Sequence, residues 1–436
     1  MSDYMFMLEN HLNSEQARFL AALEAVCGLT NTKVFLAGGA MRDMLGGFPL
    51  RDLDFVVEGP ALKLARELAD TTGASIVSTD ELRKSVEMQL PRGATVSLAM
   101  ARTEKYPKAG GKPQVSPATM YEDLLGRDFT INAIALSLSK ASRGLLMDPS
   151  NGLADIERRE LRAVNSYVFY NDPVRLWRLI RLKVRLGFAI EERTAAQYAN
   201  AREAEMEKHI PPQALLEQLR VTANEPNPSD VLKALDEEGL LAAVSPALTG
   251  ARLNLQGFAK LLKVRQLVPF GVEMQVDNFV LLLQLLTEKL TAREKSAMFD
   301  AIGAGKAESA ALAKLAASAK KLEKTLKSPT LQKPSLIYEA AAKESGEAVL
   351  FLFMGTSQRM VADRIRNYLM KYLPAAMEIS DREIEAEGLT PGTPKFVKRK
   401  AEKIRLRLDA RPRKPAPERE PSESTPVSAA ASRRPI

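Results

Sequence analysis

The feature that most constrains the fold is a change of pattern near residue 155. Between residues 33 and 150, apolar segments typical of strands alternate with helical segments. From Asp155 onward the pattern is helical and strand signals nearly vanish, with breaks at Pro211-Pro212, 224–229 and 328–334. This pattern predicts an α+β fold, with a small mixed-sheet domain followed by all-helical domains.

Composition excludes several classes of protein. The chain has 436 residues, 45% of them hydrophobic, which is enough for several packed domains. The lone Cys27 excludes an internal disulfide framework and suits a reducing cytoplasm, so we expect a cytoplasmic location. No N-terminal segment joins a basic stretch to an apolar run, so we expect no signal peptide. No apolar run approaches the ~18 residues of a membrane span. With His11, His209 and one cysteine, we expect no zinc site.

The net charge of +8 belongs to the last 42 residues, which hold 13 Lys and Arg against 5 Asp and Glu. A basic helix is predicted from Lys395 to about Ala410. Residues 411–436 lack a core-forming pattern, which predicts a disordered basic tail. Such a segment can add salt-dependent affinity for nucleic acid or can serve as a solubilising appendage. Composition favours neither.

Asp52 and Asp54 are the first candidate site. They belong to a strand-like segment that follows the apolar run Val34-Phe35-Leu36, and residues i and i+2 of a strand face the same side. Two neighbouring carboxylates can hold Mg²⁺, which prefers hard oxygen ligands and often shares them with substrate phosphates. The alternative is a pair of solvated loop carboxylates.

A glycine pair stands between these two strands. Gly38 and Gly39 let the backbone approach a phosphate, and the helix start after them offers free N–H groups. Arg42, about one turn into that helix, is placed to reach the same phosphates. A plain turn is the alternative. Together with the carboxylate pair, the order and spacing of these residues indicate metal-assisted phosphoryl or nucleotidyl transfer.

Two further groups contain arginines. Arg127, Asp128 and Asn132 are predicted near the start of a helix over 128–138, where the guanidinium suits a triphosphate and the other two side chains suit ribose hydroxyls. A helix cap with a structural ion pair is the alternative.

Asp172 is predicted to cap the next long helix, on which Arg175, Arg178, Arg181 and Arg185 follow along one side. Carboxylate and guanidinium groups together can bind a base edge. The alternative is a cap beside a solvated basic stripe, and Trp177 on the same helix is predicted to be core.

In order, these motifs resemble the class II tRNA nucleotidyltransferase and bacterial poly(A) polymerase family, in the branch that contains CCA-, CC- and A-adding enzymes. The resemblance runs from about Val34 to Gly187. It rests on the following segments: Gly38–Asp43, Asp52–Asp54, Ala101–Tyr106, Arg127–Ala133, Asp148–Asp155 and Asp172–Arg178.

The resemblance implies a nucleotidyltransferase head followed by an all-helical neck, body and tail. The corresponding domain boundaries are an N-terminal helix over 1–30, the head over 31–155, the neck over 156–225, the body and tail over 226–410, and the basic tail over 411–436.

The resemblance also implies roles for the candidate residues. Asp52 and Asp54 would be the catalytic carboxylates that hold Mg²⁺. The base of the incoming CTP or ATP would be read, without a template, by groups of the neck, and tRNA would be gripped by the helical body. The nucleotide-binding residues implied are Gly38, Gly39, Arg42, Asp43, Arg127, Asp128, Asn132, Asp172, Arg175 and Arg178.

Three positions depart from the family pattern. Ser97 stands where a third acidic residue is usual, and Glu87 on the partner strand is a candidate substitute. Gly126 replaces an arginine, and Asn171 replaces an acidic residue.

The leading hypothesis is therefore an Mg²⁺-dependent enzyme that adds CMP and/or AMP to the 3′ end of tRNA. The alternatives are a poly(A) polymerase acting on general RNA, which the basic tail favours, and a non-catalytic RNA-binding protein, which the three departures favour.

Overall fold

The computed structural model describes residues 3–272 and 274–410, so the predicted disordered tail lies outside the described residues. The chain divides into two compact units. Unit 1 contains the residues up to 266 together with 275–320 and 345–354. Unit 2 contains the described residues of 267–274, 321–344 and 355–410. The predicted division into head, neck and body is finer than this and stays a prediction.

Strands concentrate before residue 150, as the pattern predicts. The strands are β1 (Lys33–Ala37), β2 (Leu53–Glu58), β3 (Ser75–Asp80), β4 (Ser85–Gln89), β5 (Thr95–Met100), β6 (Arg102–Lys105), β7 (Gln114–Pro117), β8 (Ala135–Ser137), β9 (Leu146–Met147), β10 (Glu160–Leu161) and β11 (Ala189–Ile190). Within the described residues they include a seven-stranded mixed sheet in the order β3-β4-β5-β2-β1-β8-β9. In this sheet β2 and β5 run parallel, and the other neighbouring pairs are antiparallel.

The helices before residue 225 belong to unit 1. They are α1 (Asp3–His11), α2 (Ser14–Leu29), α3 (Gly39–Leu45), α4 (Ala61–Thr72), α5 (Met120–Leu125), α6 (Gly152–Arg158), α7 (Val168–Asn171), α8 (Val174–Leu186), α9 (Glu192–Glu203) and α10 (Pro212–Ala223).

The rest of the described chain is helical. It contains α11 (Pro228–Glu237), α12 (Leu255–Arg265), α13 (Asn278–Thr287), α14 (Ala292–Ile302), α15 (Lys306–Leu326), α16 (Pro334–Ala342), α17 (Gly346–Gly355), α18 (Arg359–Asn367), α19 (Leu373–Met377), α20 (Asp381–Glu385) and α21 (Pro394–Asp409). A mixed-sheet head followed by helices confirms the predicted α+β fold class. None of the helices in the described residues is long and apolar enough to cross a membrane.

Alternation along β2 explains how the sheet supports a polar site. Leu53, Phe55 and Val57 are almost fully buried, and the ring of Phe55 lies 5.9 Å from that of Phe19 on α2. Because successive strand residues face opposite sides, Asp54 and Val56 belong to the other face. Val56 there joins a buried cluster with residues of β1 and α5. Burial on both faces of β2 therefore holds Asp54 on a rigid element.

The predicted helix over 128–138 is wrong. The segment instead forms a short 3-10 turn at Thr130–Asn132 and then β8, which pairs antiparallel with β1. A short apolar run buried on all sides has no periodicity that separates strand from helix. Pairing with β1 decided the outcome, as tertiary context often does.

Smaller differences lie at element ends. The N-terminal helix predicted over 1–30 is two helices, α1 and α2, and Asn13 caps α2 in a capping box. The predicted basic helix is confirmed as α21.

Candidate active site

A cleft of about 1520 Å³ in unit 1 brings together every residue that the sequence analysis assigned to a site. Its walls come from the sheet, from α3, from α8 and from α10, together with the start of α13. Small-molecule pockets usually measure about 300–1,000 Å³, so this cleft exceeds the needs of one nucleotide.

Asp52 and Asp54 stand at the start of β2. Asp54 Oδ1 accepts a hydrogen bond of 2.8 Å from Ser97 Oγ on the parallel neighbour β5. Asp52 is exposed on the cleft wall. Desolvation within the cleft, followed by the charge of Asp54, raises the pKa of Asp52 to about 6. The carboxylate pair therefore carries its full negative charge only above that pH.

Strand register places Glu87 beside this pair. Ser97 lies opposite Asp54 on one side and opposite Glu87 of β4 on the other, so the three residues form one row on one face of the sheet. The charge of Glu87 contributes to the raised pKa of Asp52. Its carboxylate also accepts a hydrogen bond of 3.1 Å from Ser78 Oγ.

The glycine pair forms a tight turn between β1 and α3. Gly38 has φ of 71°, a conformation that other residues rarely adopt. A Cβ atom at Gly38 would stand 2.9 Å from Arg127 Nη1, and one at Gly39 would stand 3.6 Å from Asp54 Oδ2. The turn therefore packs its bare backbone directly against a guanidinium and a catalytic-site carboxylate.

Arg42 lies beneath this turn and is almost fully buried. Its guanidinium donates 2.8 Å to Asp43 Oδ1 and 2.7 Å to Asn132 Oδ1. Burial lowers the pKa of Arg42, although the neighbouring Asp43 carboxylate opposes that effect. Arg42 Nη2 also lies 2.7 Å from Asp43 Oδ1, so all three guanidinium nitrogens already contact protein oxygens.

Arg127 and Asp128 differ in exposure. Arg127 lies over the glycine turn, donating 2.9 Å to Asp123 Oδ1 and 3.2 Å to the carbonyl of Asn132. Asp128 is buried; it accepts from its neighbour's backbone N–H and from Asn132, and pairs with Arg178 at 2.8 Å. Burial would raise its pKa, but the charges of Arg178 and Arg175 and the bond from Asn132 hold it at about 2. These contacts are the structural ion pair that was the alternative interpretation; the ribose role stays a prediction.

The arginines of α8 are not a solvated stripe. Arg175 donates to the carbonyls of Gly126 and Arg127 at 3.1 and 3.4 Å, whereas Arg181 binds Glu225 at 2.5 Å. Burial lowers the pKa of Arg181 to about 10. Trp177, on the apolar side of α8, is fully buried, as predicted.

Asp172 does not cap α8. It ends the short helix α7, no side chain caps α8, and Pro173 occupies the position before Val174. The carboxylate instead lies 3.7 Å from Arg175 Nε. Asp172 and Arg175 are therefore neighbours on the cleft wall, and their role in reading a base stays a prediction.

Sequence reasoning missed several charged residues of the cleft, among them Glu225 and Arg83. Glu225, just beyond α10, is buried and binds arginines from two other segments. Arg83, in the turn before β4, binds Glu104 at 3.1 Å. Neither belongs to a motif, and Glu225 lies in a segment whose Asn, Pro and Ser content indicates a break between helices. No local signal distinguishes them from surface charges.

The donor set fits a magnesium ion. Asp52 and Asp54 offer hard carboxylate oxygens on one face, and Asp54 Oδ2 points toward the glycine turn. In the described residues no group of three or more His, Cys, Asp or Glu could hold a metal. Two carboxylates suffice for Mg²⁺, because this ion usually keeps waters and takes further ligands from substrate phosphates.

Comparison with known proteins gives the same picture. Residues 34–162 match the Poly A polymerase head domain. The chain is 31% identical to the A-adding tRNA nucleotidyltransferase of Aquifex aeolicus (strain VF5), over 59% of this chain and 31% of that protein. It is 35% identical to the CC-adding tRNA nucleotidyltransferase of Deinococcus radiodurans, over 48% of this chain and 54% of that protein.

A further A-adding tRNA nucleotidyltransferase, from Halalkalibacterium halodurans, is 28% identical over 66% of this chain and 74% of its own length. The chain thus spans less than two thirds of the Aquifex and Deinococcus relatives.

Solved structures share the fold along most of the chain. "The structure of CCA-adding enzyme apo form II" aligns with a TM-score of 0.56 at 24% identity, covering 94% of this chain and 96% of that one. A tRNA nucleotidyltransferase complexed with a primer tRNA and an incoming ATP analog aligns with a TM-score of 0.52 at 24% identity, covering 80% and 98%. The head-domain match and the curated relatives thus agree with the resemblance of this chain to the class II tRNA nucleotidyltransferase and bacterial poly(A) polymerase family.

Proposed function

We propose that this protein is an Mg²⁺-dependent, template-independent RNA nucleotidyltransferase that adds CMP and/or AMP to the 3′ end of tRNA. The observation that carries the proposal is the meeting of Asp52 and Asp54 with the Gly38-Gly39 turn in one arginine-lined cleft of unit 1. The RNA 3′-hydroxyl attacks the α-phosphate of CTP or ATP, and pyrophosphate leaves. The names of the curated relatives support tRNA as the RNA.

Each group of the cleft has a distinct part in this reaction. Asp52 and Asp54 would hold Mg²⁺, which when bound activates the hydroxyl and offsets phosphate charge. The glycine turn lets backbone N–H groups approach the triphosphate, and Arg127 above it and Arg42 below it add positive charge. Asp172 offers an acceptor at the wall where a base would lie, beside Arg175, whose Nη1 and Nη2 already donate to the carbonyls of Arg127 and Gly126.

Ser97 need not bind metal for this mechanism. Its hydroxyl fixes the rotation of the Asp54 carboxylate, and Glu87 adds the third negative charge from the next strand. Substituting Ser97→Ala should lower incorporation about 10-fold, because a hydrogen bond to a charged group contributes roughly 1.5–3 kcal/mol. Glu87→Gln should lower it as well. If both variants keep wild-type rates, Ser97 on β5 and Glu87 on β4 have no part in the reaction.

The test is incorporation of labelled CTP and ATP, separately and together, into tRNA lacking its last one, two or three nucleotides. We expect a stop after one to three additions, and loss of incorporation in Asp52→Ala. An Asp52→Ala protein with full activity would contradict the proposal. Long homopolymers on an unrelated RNA would instead indicate a poly(A) polymerase, and RNA binding without any incorporation would indicate a non-catalytic protein.

A further inference from the structure

Glu225 contacts three arginines from two separate segments: Arg51, just before β2, and Arg181 and Arg185 on α8. Its carboxylate is buried and lies 2.5 Å from Arg181 Nη1, 3.2 Å from Arg51 Nη1 and 3.7 Å from Arg185 Nε. A buried carboxylate needs such partners, since an unpaired charge is costly away from water. The residue follows the end of α10, so it belongs to the helical part of unit 1 and not to the sheet.

Two of these arginines, Arg51 and Arg185, connect Glu225 to the residues assigned to the reaction. Arg51 directly precedes Asp52 in the chain, and its Nη1 also donates 3.3 Å to the carbonyl of Asn224. The backbone that presents Asp52 is therefore tied to the end of α10 through one guanidinium.

Arg185 connects Glu225 to the side of the cleft where the glycine turn lies. Its Nη2 binds Asp43 Oδ2 at 2.5 Å, and Asp43 in turn accepts from Arg42. One carboxylate thus connects to both halves of the candidate site: to the carboxylate strand through Arg51, and to the helix after the glycine turn through Arg185.

We propose that Glu225 is a positioning residue. Through Arg51 it holds Asp52 beside Asp54 for metal binding. Through Arg185 it holds α3, the helix after the glycine turn, at a constant distance from both carboxylates. The inference rests on the proposed function. It assigns a role in the reaction to a residue outside every motif of the family resemblance. Because a misplacement of about 1 Å can cost 10²-fold in rate, a tether of this kind matters even though it touches no substrate.

Arg51→Gln is the decisive variant because the loss of its charge and the loss of the tether predict opposite changes in metal affinity. Removing a positive charge beside two carboxylates should, by Coulomb's law alone, strengthen the binding of a cation. Loss of the tether should weaken it. The Arg51 side chain is one third exposed, so the variant is expected to fold. The matched control is Arg252→Gln, which removes an Arg–Glu pair of 2.6 Å away from the cleft.

The measurement is Mn²⁺ binding to the full-length protein by electron paramagnetic resonance, together with kcat and KM for CTP in primer extension. For Arg51→Gln we expect Mn²⁺ affinity to fall several-fold and kcat to fall about 10- to 100-fold, with KM for CTP nearly unchanged. Arg51→Lys, which keeps the charge, should recover part of the loss. Arg252→Gln should behave as wild type.

A double-mutant cycle tests the route through Glu225. If Arg51 and Glu225 act through one contact, Arg51→Gln combined with Glu225→Gln should lower kcat no further than Glu225→Gln alone. Additive losses would overturn the proposal. So would an Arg51→Gln protein that binds Mn²⁺ as tightly as wild type, or more tightly, at an unchanged kcat.

The positioning role and the proposed function can fail separately. A wild-type protein that incorporates neither nucleotide would end the proposed function, yet its Mn²⁺ titration against that of Arg51→Gln would still decide whether the tether sets the metal site.

Discussion

Two basic helices of this protein use the same residue type in different ways. On α8 the arginines are largely buried and bind partners distant in the chain, among them Asp43, Asp128 and Glu225. On α21 the basic side chains are more exposed, and their partners are carboxylates that are themselves largely exposed. The arginines of α8 therefore hold the walls of the cleft together, whereas the basic residues of α21 form ion pairs at the surface.

The difference has a physical reason. A buried guanidinium that loses its partner is left unsolvated, and the loss costs several kcal/mol. An exposed pair exchanges its partner for water at little cost, and salt screens it further. The α21 pairs also reduce the charge that the basic helix leaves unpaired, because Arg399, Lys400 and Lys403 already bind Glu387 or Asp381. Charge count along the chain overstates the positive charge that this helix offers to RNA.

The largest expected effect is on α8. Arg181→Gln should lower the free energy of unfolding by about 3 kcal/mol, because Glu225 loses its shortest contact inside the protein. Trp177, the one tryptophan of the chain, lies buried on the same helix and reports this transition by fluorescence during urea unfolding. A change below about 1 kcal/mol would mean that the buried pair behaves like a surface pair, and the comparison would fail.

A smaller effect is expected from Asp128→Asn, and it depends on pH. The folded pKa of Asp128, about 2, lies below the unfolded value of 3.8, so its charge stabilises the fold above pH 4 and this contribution is lost as pH falls toward 2. The wild type should therefore lose roughly 2 kcal/mol more than the variant across that window. Urea unfolding at pH 6, 4 and 2, again followed by Trp177, measures the difference. Parallel curves for the two proteins would contradict it.

The smallest effect is expected on α21. Arg405→Gln and Arg407→Gln together remove two pairs with Glu339 and Glu378, and thermal unfolding by circular dichroism should move by no more than about 2 °C. A shift beyond 5 °C would show that exposed ion pairs contribute substantially to the stability of unit 2. Repeating the scan in 1 M salt separates the two cases, since screening removes only the exposed contribution.

Much of the candidate site could be predicted because its residues are close in sequence. Strand geometry alone places Asp52 and Asp54 on one face. The pair Gly38-Gly39 indicates a turn whose backbone lies close to other atoms. The strand β8 could not be predicted in the same way, because its short apolar run is equally compatible with a buried helix. Pairing with β1 settled it.

Periodicity and short motifs are local properties, and they therefore predict the division into a mixed-sheet head and a helical remainder, together with the family resemblance and the carboxylate pair. Which charges meet depends on how distant segments of the chain pack. Glu87 joins Asp54 through strand register, and Glu225 joins Arg51 and Arg185 through the packing of α10. Such contacts link residues up to 174 positions apart. Local pattern carries no information about them, since a buried ion pair and two surface charges look the same along the chain.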